Sequence, residues 1–164
     1  MNEKFFDLKK EKQDRMINAS LKVFAMNGYA HASTDDIVRE AGISKGLLFH
    51  YFVSKLGLYS FIYDYSIRYV ILELTTGVDK EETDYFRLVG QIREAELQVM
   101  RNYPCMMLFL NNSRLENVSE VLLETEDKRN ILSEKYAQIL SQATGEELDE
   151  RLNREQLSEM IRFT

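Results

Sequence analysis

Apolar residues recur every three or four positions along most of the chain, which is the spacing of one face of an α-helix. The first run covers residues 9–27 and is followed by Gly28, a residue type that often ends helices. A second run covers residues 54–76 and ends at Gly77. The apolar residues expected on the buried faces are Ile17, Leu21 and Phe24 in the first helix, and Leu58, Ile62, Tyr65, Tyr69 and Leu72 in the second.

Between these long helices the pattern predicts a compact helix over residues 34–41. Ser33 or Thr34 can cap its start, because a hydroxyl there accepts an N–H of the first turn that has no partner within the helix. Ile37 and Ala41 lie four residues apart and so share one face. We expect this face to pack inward, with the small alanine allowing another helix to cross closely.

A second short helix of about two turns follows the glycine at position 42. Gly42 permits the backbone angles of a sharp turn, and Ser44 is a good cap for the new helix. Leu48 and Phe52 share its inward face, and Ser54 can cap the next helix. The residues left on the outward face are Lys45, Gly46, Phe49 and His50. Helix, glycine turn and short second helix form the helix-turn-helix pattern.

The remainder of the chain is predicted to be helical as well. A helix from residue 83 stops before Pro104, residues 105–110 start a short apolar helix, residues 119–142 form one long helix, and an amphipathic segment starts at Leu148. The fold class is therefore all-α. The apolar residues assigned to the core are Phe86, Val89, Ile92, Leu97 and Met100 in the first of these helices, and Val121, Leu122, Ile131, Leu132, Tyr136, Ile139 and Leu140 in the long one.

The overall charge is acidic, but its distribution suits a nucleic-acid partner at one end. The net charge is −6, yet residues 1–60 hold nine Lys and Arg against seven Asp and Glu, a net charge of +2. The lone Cys105 excludes an intrachain disulfide, and no apolar run approaches the roughly 18 residues of a membrane span. We expect a cytoplasmic protein with no membrane partner.

Catalytic and metal chemistry find little support in the sequence. The two histidines, His31 and His50, are far apart in sequence, and His31 is expected in an exposed loop. No glycine-rich phosphate loop, Ser/His/Asp set, Cys/His set or metal-ligand spacing occurs. We therefore expect neither an enzyme nor a cofactor.

Several stretches, in the right order and spacing, resemble the DNA-binding domain of the tetracycline-repressor (TetR) family. They are Asn27–Tyr29, Ser33–Gly46, Phe49–Phe52 and Ser54–Lys55. The resemblance implies a three-helix helix-turn-helix domain over residues 1–55. It also implies a helical effector-binding and dimerisation domain over residues 56–164, which looks shortened because two long dimer helices common in the family are not evident.

The resemblance also implies function. TetR-like proteins are homodimeric regulators, most often repressors, that bind a palindromic operator in double-stranded DNA and are released by a small apolar effector. The positions that match the family's DNA contacts are Thr34, Ser44, Lys45, Gly46, Leu47, Phe49, His50, Tyr51 and Lys55. Hydroxyls and cations there suit phosphate, and Leu47 suits only an apolar contact such as a thymine methyl. Phe49 departs from the family, which often has tyrosine there.

Alternatives remain open for several of these residues. Packing is the expected role of Phe52, whereas Tyr51 could either pack or contact DNA. A cluster of adaptable apolar side chains in the domain over residues 56–164 could line an effector pocket or could be part of an ordinary core. Its members are Met100, Tyr103, Cys105, Met106, Met107 and Phe109. The alternative function is a helical ligand-binding or protein-interaction module that does not bind DNA.

Overall fold

The computed structural model describes residues 3–144, which form helices joined by short turns. The α-helices are α1 (Lys10–His31), α2 (Thr34–Ala41), α3 (Lys45–Tyr51), α4 (Lys55–Gly77), α5 (Tyr85–Asn102), α6 (Met106–Ser113), α7 (Ser119–Thr125) and α8 (Ile131–Leu140), with 3-10 helices at Glu3–Asp7 and Glu126–Lys128. Residues 3–144 contain no β-strand, which confirms the all-α prediction. The amphipathic segment predicted from Leu148 lies outside the described residues.

The regular part of α1 ends at Gly28, as predicted. The Gly28 φ of 68° and ψ of 173° are not helical, and a side chain would be strained at that φ. The chain then adds one more turn, closed by a hydrogen bond of 3.1 Å from the Ala32 N–H to the Gly28 carbonyl. The predicted end of the first regular helix is therefore confirmed, and the added turn carries the chain to His31. His31 is exposed, as expected, but belongs to this added turn and not to a loop.

Three serines start the next three helices. The hydroxyls of Ser33, Ser44 and Ser54 accept N–H hydrogen bonds of 3.1, 3.2 and 3.0 Å from the first turns of α2, α3 and α4. Gly42 between α2 and α3 has φ 63° and ψ 43°, the left-handed conformation that glycine favours. The predicted turn and caps are confirmed, with Ser33 and not Thr34 as the cap of α2.

The inward faces of α1 to α3 and of the first half of α4 are as predicted. The buried residues there include Ile17, Leu21, Phe24, Ile37, Ala41, Leu48, Phe52, Leu58 and Ile62. In the second half of α4 the prediction is wrong for Leu72, which is 55% exposed. Val70 and Leu74 are buried instead, because α5 packs on their side of the helix.

The predicted buried face of α5 is wrong for most of its residues, although Ile92 is buried as expected. Phe86 is 78% exposed, and Leu97 and Met100 are exposed too, whereas the buried residues are Leu88, Ile92, Ala95, Glu96 and Val99. Both sets recur at helical spacing, so periodicity alone could not choose between them. The neighbouring helix decides between them: α5 packs on α4, with the small Ala95 beside Gly77.

The single long helix predicted over residues 119–142 is divided into α7 and α8. The intervening residues 126–130 form a tight 3-10 turn, and Ile131, predicted to be buried, is exposed. Polar side chains hold this turn: the Lys128 ammonium lies 3.6 Å from the Asp64 carboxylate, and Arg129 donates to the Ser113 carbonyl at 3.4 Å. The apolar period does not show the break, because Val121 and Ile139 are buried on either side of it.

The N-terminal helices share a core with the rest of the chain. The ring centroids of Phe24 in α1 and Phe109 in α6 are 6.3 Å apart, and Tyr59 of α4 lies 5.0 Å from the first and 5.3 Å from the second. A division into residues 1–55 and 56–164 stays a prediction. The aromatic contacts of Phe24, Tyr59 and Phe109 cross this predicted boundary.

Candidate nucleic-acid interface

The outward face of α3 presents the residues that the sequence pattern assigned to it. Lys45, Gly46 and His50 are exposed, and Leu47 and Phe49 are partly exposed. The opposite face is anchored, since Leu48 and Phe52 are buried in the core. A seven-residue helix held by its cap and its apolar side thus displays a cation, an imidazole and accessible backbone to a partner.

Thr34 and Lys55 lie at the starts of α2 and α4, on either side of α3 in the chain. The Lys55 ammonium donates to the carbonyls of Tyr29 at 2.9 Å and Ala32 at 3.2 Å, and lies 4.3 Å from the centre of the Tyr29 ring. An ammonium has three N–H donors, and these contacts use two of them. Lys55 is therefore held in place with one donor left for another acceptor.

An acidic residue neighbours the predicted cation of α3. The Lys45 ammonium lies 2.8 Å from the Asp35 carboxylate, and both side chains are more than half exposed. Such a surface ion pair contributes only about 0–1 kcal/mol. Exchange of Asp35 for a phosphate would therefore cost Lys45 little.

The aromatic residues of α3 divide between packing and exposure. Phe52 is buried, which confirms the packing role assigned to it. Tyr51 is partly buried, with its ring 5.9 Å from that of Phe5 and 4.8 Å from that of His50. Tyr51 thus supports the exposed His50 from one side, and this position is compatible with either role suggested for it.

Five of the six residues of the predicted effector cluster, all except Met100, belong to the hydrophobic core or pack against it. Tyr103, Met106 and Phe109 are buried, and Cys105 and Met107 are partly buried. Met100 is 39% exposed on the outward face of α5, because the helix is turned from the predicted orientation. Phe109 packs against the rings of Phe24 and Tyr59, as an ordinary core residue does.

Two concave regions occur elsewhere. A surface groove of about 230 Å³ is lined by Leu8, Lys9, Glu11, Lys12 and Arg15 at the start of α1. A cavity of about 30 Å³ lies between α4 and α8 and is lined by Leu74, Thr75, Val78, Lys80, Lys135, Ile139 and Gln142. Neither contains a member of the predicted effector cluster, so the effector pocket stays a prediction.

One contact near the interface was missed by sequence reasoning. Glu116, in the connection between α6 and α7, accepts a hydrogen bond of 3.0 Å from the backbone N–H of Tyr29. Burial, and then a hydrogen bond to Glu120, raises the pKa of the Tyr29 hydroxyl to about 12. The motif Asn27–Tyr29 pointed to Tyr29, but no local pattern could indicate a partner 87 positions away.

Metal and membrane sites find no support in the described part of the chain. Among residues 3–144, no group of three or more His, Cys, Asp or Glu side chains is placed to hold a metal ion. Over the same residues, none of the helices has both the length and the apolar character needed to cross a membrane.

The helix-turn-helix region is similar to known regulatory proteins. Residues 16–60 match the model of "Bacterial regulatory proteins, tetR family". The chain is 38% identical over 93 residues to the uncharacterized HTH-type transcriptional regulator YuxN of Bacillus subtilis, a match that covers 54% of this chain and 32% of that relative. The chain thus spans about a third of the length of this curated relative.

Solved structures extend the similarity of fold beyond the first 60 residues. A TetR-like transcriptional regulator from Rhodococcus sp. RHA1 superposes with a TM-score of 0.66 at 23% identity, covering 94% of this chain and 82% of that one. The TetR family transcriptional regulator PfmR from Thermus thermophilus gives 0.61 at 21% identity, covering 91% and 85%. Residues 16–60 are thus similar to the N-terminal domain of the tetR family of bacterial regulatory proteins, and the helical fold around them is similar to that of the two solved regulators.

Proposed function

We propose that this chain is a sequence-specific DNA-binding regulator of transcription. The observation that carries the proposal is α3 itself, a capped helix with its apolar side buried and Lys45, Gly46 and His50 exposed, inside the segment that matches the family model. A helix of this kind fits the major groove, where side chains reach base edges and N-terminal groups reach phosphate.

Each predicted contact has a role in this arrangement. Lys45 and Lys55 supply charge to phosphates, and Thr34 and Ser44 place hydroxyls at helix starts. Gly46 allows close approach of the backbone. The side chains that read bases are Leu47 and Phe49, by apolar contact with thymine methyls, and His50 and Tyr51, by hydrogen bonds.

The family's usual assembly and control belong to the same proposal. Two copies would bind a palindromic duplex with half-site centres one helical turn, or a multiple of it, apart. A small apolar effector would bind the domain over residues 56–164. Binding would shift the population of dimers towards a form in which the distance between the two helix-turn-helix domains does not fit the operator. We propose repression in the cytoplasm as the biological role.

Selection of bound duplexes from a random pool tests the proposal. We expect the chain to enrich one palindromic sequence, which would then serve as the operator duplex in binding assays. A folded chain, shown to be helical by circular dichroism, that enriches no sequence would contradict the proposal and favour the module without DNA binding.

Lys45 and Lys22 make a matched pair for a sharper test. Their side chains are 51% and 50% exposed, and each forms an ion pair, Lys45 with Asp35 at 2.8 Å and Lys22 with Glu40 at 2.7 Å. Lys45→Ala should weaken binding to all duplexes and reduce the slope of log K against log salt by about one. Lys22→Ala should leave that slope unchanged. Equal slopes for both variants and the wild type would remove Lys45 from the interface.

A further inference from the structure

The backbone of Tyr29 is held at both of its polar groups by residues distant in sequence. Its N–H donates to the Glu116 carboxylate at 3.0 Å, and its carbonyl accepts from the Lys55 ammonium at 2.9 Å. Gly28, just before it, has a backbone conformation that other residues rarely adopt, so the chain turns sharply here. One residue therefore links a carboxylate from the C-terminal half to a cation at the start of α4.

The Glu116 carboxylate is also held in place by backbone groups other than Tyr29. The second oxygen of Glu116 accepts hydrogen bonds from the N–H groups of Asn117 at 3.1 Å and Val118 at 3.2 Å. The side chain is partly buried, and α6 packs on α1 beside it. Glu116 thus presents a preoriented charge, and hydrogen bonds to charged groups are among the stronger ones.

The cation at the other side depends on the same stretch of backbone. Lys55 donates to the carbonyls of Tyr29 and Ala32, and its ammonium lies over the Tyr29 ring. Without these acceptors a lysine side chain samples many rotamers, and ordering them on binding costs free energy. The position of the ammonium therefore follows the position of residues 29–32.

We propose that Glu116 is a positioning residue for DNA binding. Through the backbone of Tyr29 it keeps the Lys55 ammonium in the position from which it binds a phosphate. The inference rests on the proposed function and adds to it a specific residue of the C-terminal half. Displacement of the α6–α7 connection would release the Tyr29 N–H and loosen Lys55. Glu116 touches no DNA in this scheme and acts only through the peptide and the lysine.

A double-mutant cycle with the operator duplex tests this route. Glu116→Ala should weaken binding roughly threefold to tenfold when Lys55 is present, the range expected for residues coupled within one network. In the Lys55→Ala background the same change should have an effect below about twofold, since the lysine it positions is gone. Glu116→Gln keeps an acceptor for the Tyr29 N–H and should fall between Ala and wild type.

A matched control separates positioning from general packing. Asn112 donates to the Ala25 carbonyl at 2.8 Å, so it also joins α6 to the end of α1, but it does not touch the Tyr29 peptide. Asn112→Ala should lower thermal stability about as much as Glu116→Ala and should show no coupling to Lys55. Equal effects of Glu116→Ala in the two lysine backgrounds would overturn the proposal.

A readout without DNA keeps the two proposals distinguishable. The rate at which acetic anhydride modifies the Lys55 amine, followed by mass spectrometry, should rise in Glu116→Ala and stay at the wild-type value in Asn112→Ala. An unchanged rate in Glu116→Ala would overturn the positioning role. A wild-type chain that enriches no duplex, together with a raised rate in Glu116→Ala, would overturn only the DNA-binding function and leave Glu116 as the residue that orders Lys55.

Discussion

Helical spacing predicted the orientation of α3, in the helix-turn-helix, correctly, but it did not predict the orientation of α5, which packs against α4. In α3 the predicted outward residues are outward, and Leu48 is buried as expected. In α5 the predicted core residue Phe86 is largely exposed, and the buried face runs through Leu88 and Val99. Both predictions used helical spacing, so the difference must lie in what else constrains each helix.

Side-chain caps fix the starts of both helices, Ser44 for α3 and Asp84 for α5, so the difference lies in their apolar faces. A left-handed glycine and a serine cap fix where α3 begins, and within its seven residues only Leu48 is buried. The 18 residues of α5 carry apolar side chains on two faces, and only neighbouring helices distinguish them. Where two faces are similarly apolar, periodicity predicts a helix but not its rotation.

Two of the three methionines of the predicted effector cluster, Met100 and Met106, give the largest expected effect. Met106 is fully buried and Met100 is 39% exposed. Met106→Ala should lower the free energy of unfolding by about 2–5 kcal/mol, because it leaves a cavity. Met100→Ala should change it by less than about 0.5 kcal/mol, as at most surface positions. Urea denaturation followed by circular dichroism measures both, and equal losses would mean that α5 is rotated towards the predicted face.

A smaller effect on stability is expected at the cap of α2, which depends only on residues close in sequence. Ser33 accepts hydrogen bonds from the N–H groups of Asp35 and Asp36, whereas Thr34 follows the cap as the first residue of α2. Ser33→Ala should cost about 1 kcal/mol of stability, the usual loss of a cap. Thr34→Ala should cost less than about 0.5 kcal/mol in the same denaturation experiment. A greater loss for Thr34→Ala would show that the cap lies at the other residue.

The smallest effect concerns a polar group that α5 turns inward. Glu96 is buried, accepts a hydrogen bond of 2.8 Å from the Tyr136 hydroxyl and lies 3.6 Å from the Arg93 guanidinium. Burial raises the pKa of this carboxyl, although both neighbours oppose the shift. Glu96→Gln keeps an acceptor for Tyr136 and should change stability at neutral pH by less than about 1 kcal/mol.

The pH dependence of this variant has a definite sign. The folded state binds the Glu96 proton more tightly than the unfolded state does, so wild type gains stability as pH falls through the raised pKa. That gain is complete below the ordinary glutamate value of about 4.3 and is lost on return to neutral pH. Relative to Glu96→Gln, wild type should therefore become more stable on acidification. The opposite trend would mean that the contacts with Arg93 and Tyr136 outweigh burial.

The candidate interface was more predictable than the body because its determinants are close in sequence. Ser44, Lys45 and His50 lie within one turn or two of each other, and the glycine before them sets their direction. The missed residue, Glu116, meets Tyr29 only after α6 has folded against α1. No short-range pattern distinguishes that glutamate from the many exposed ones.

By itself the sequence determined the helices, the serine caps, the turn at Gly42 and the exposed side of α3. Each depends on residues within a few positions of one another, whose backbone geometry and hydrogen bonds are local. Tertiary structure alone decided the rotation of α5, the break before α8 and the hydrogen bond between the Tyr29 N–H and the Glu116 carboxylate. These depend on which surfaces meet, since burial and long-range hydrogen bonds gain their free energy only when distant segments pack together.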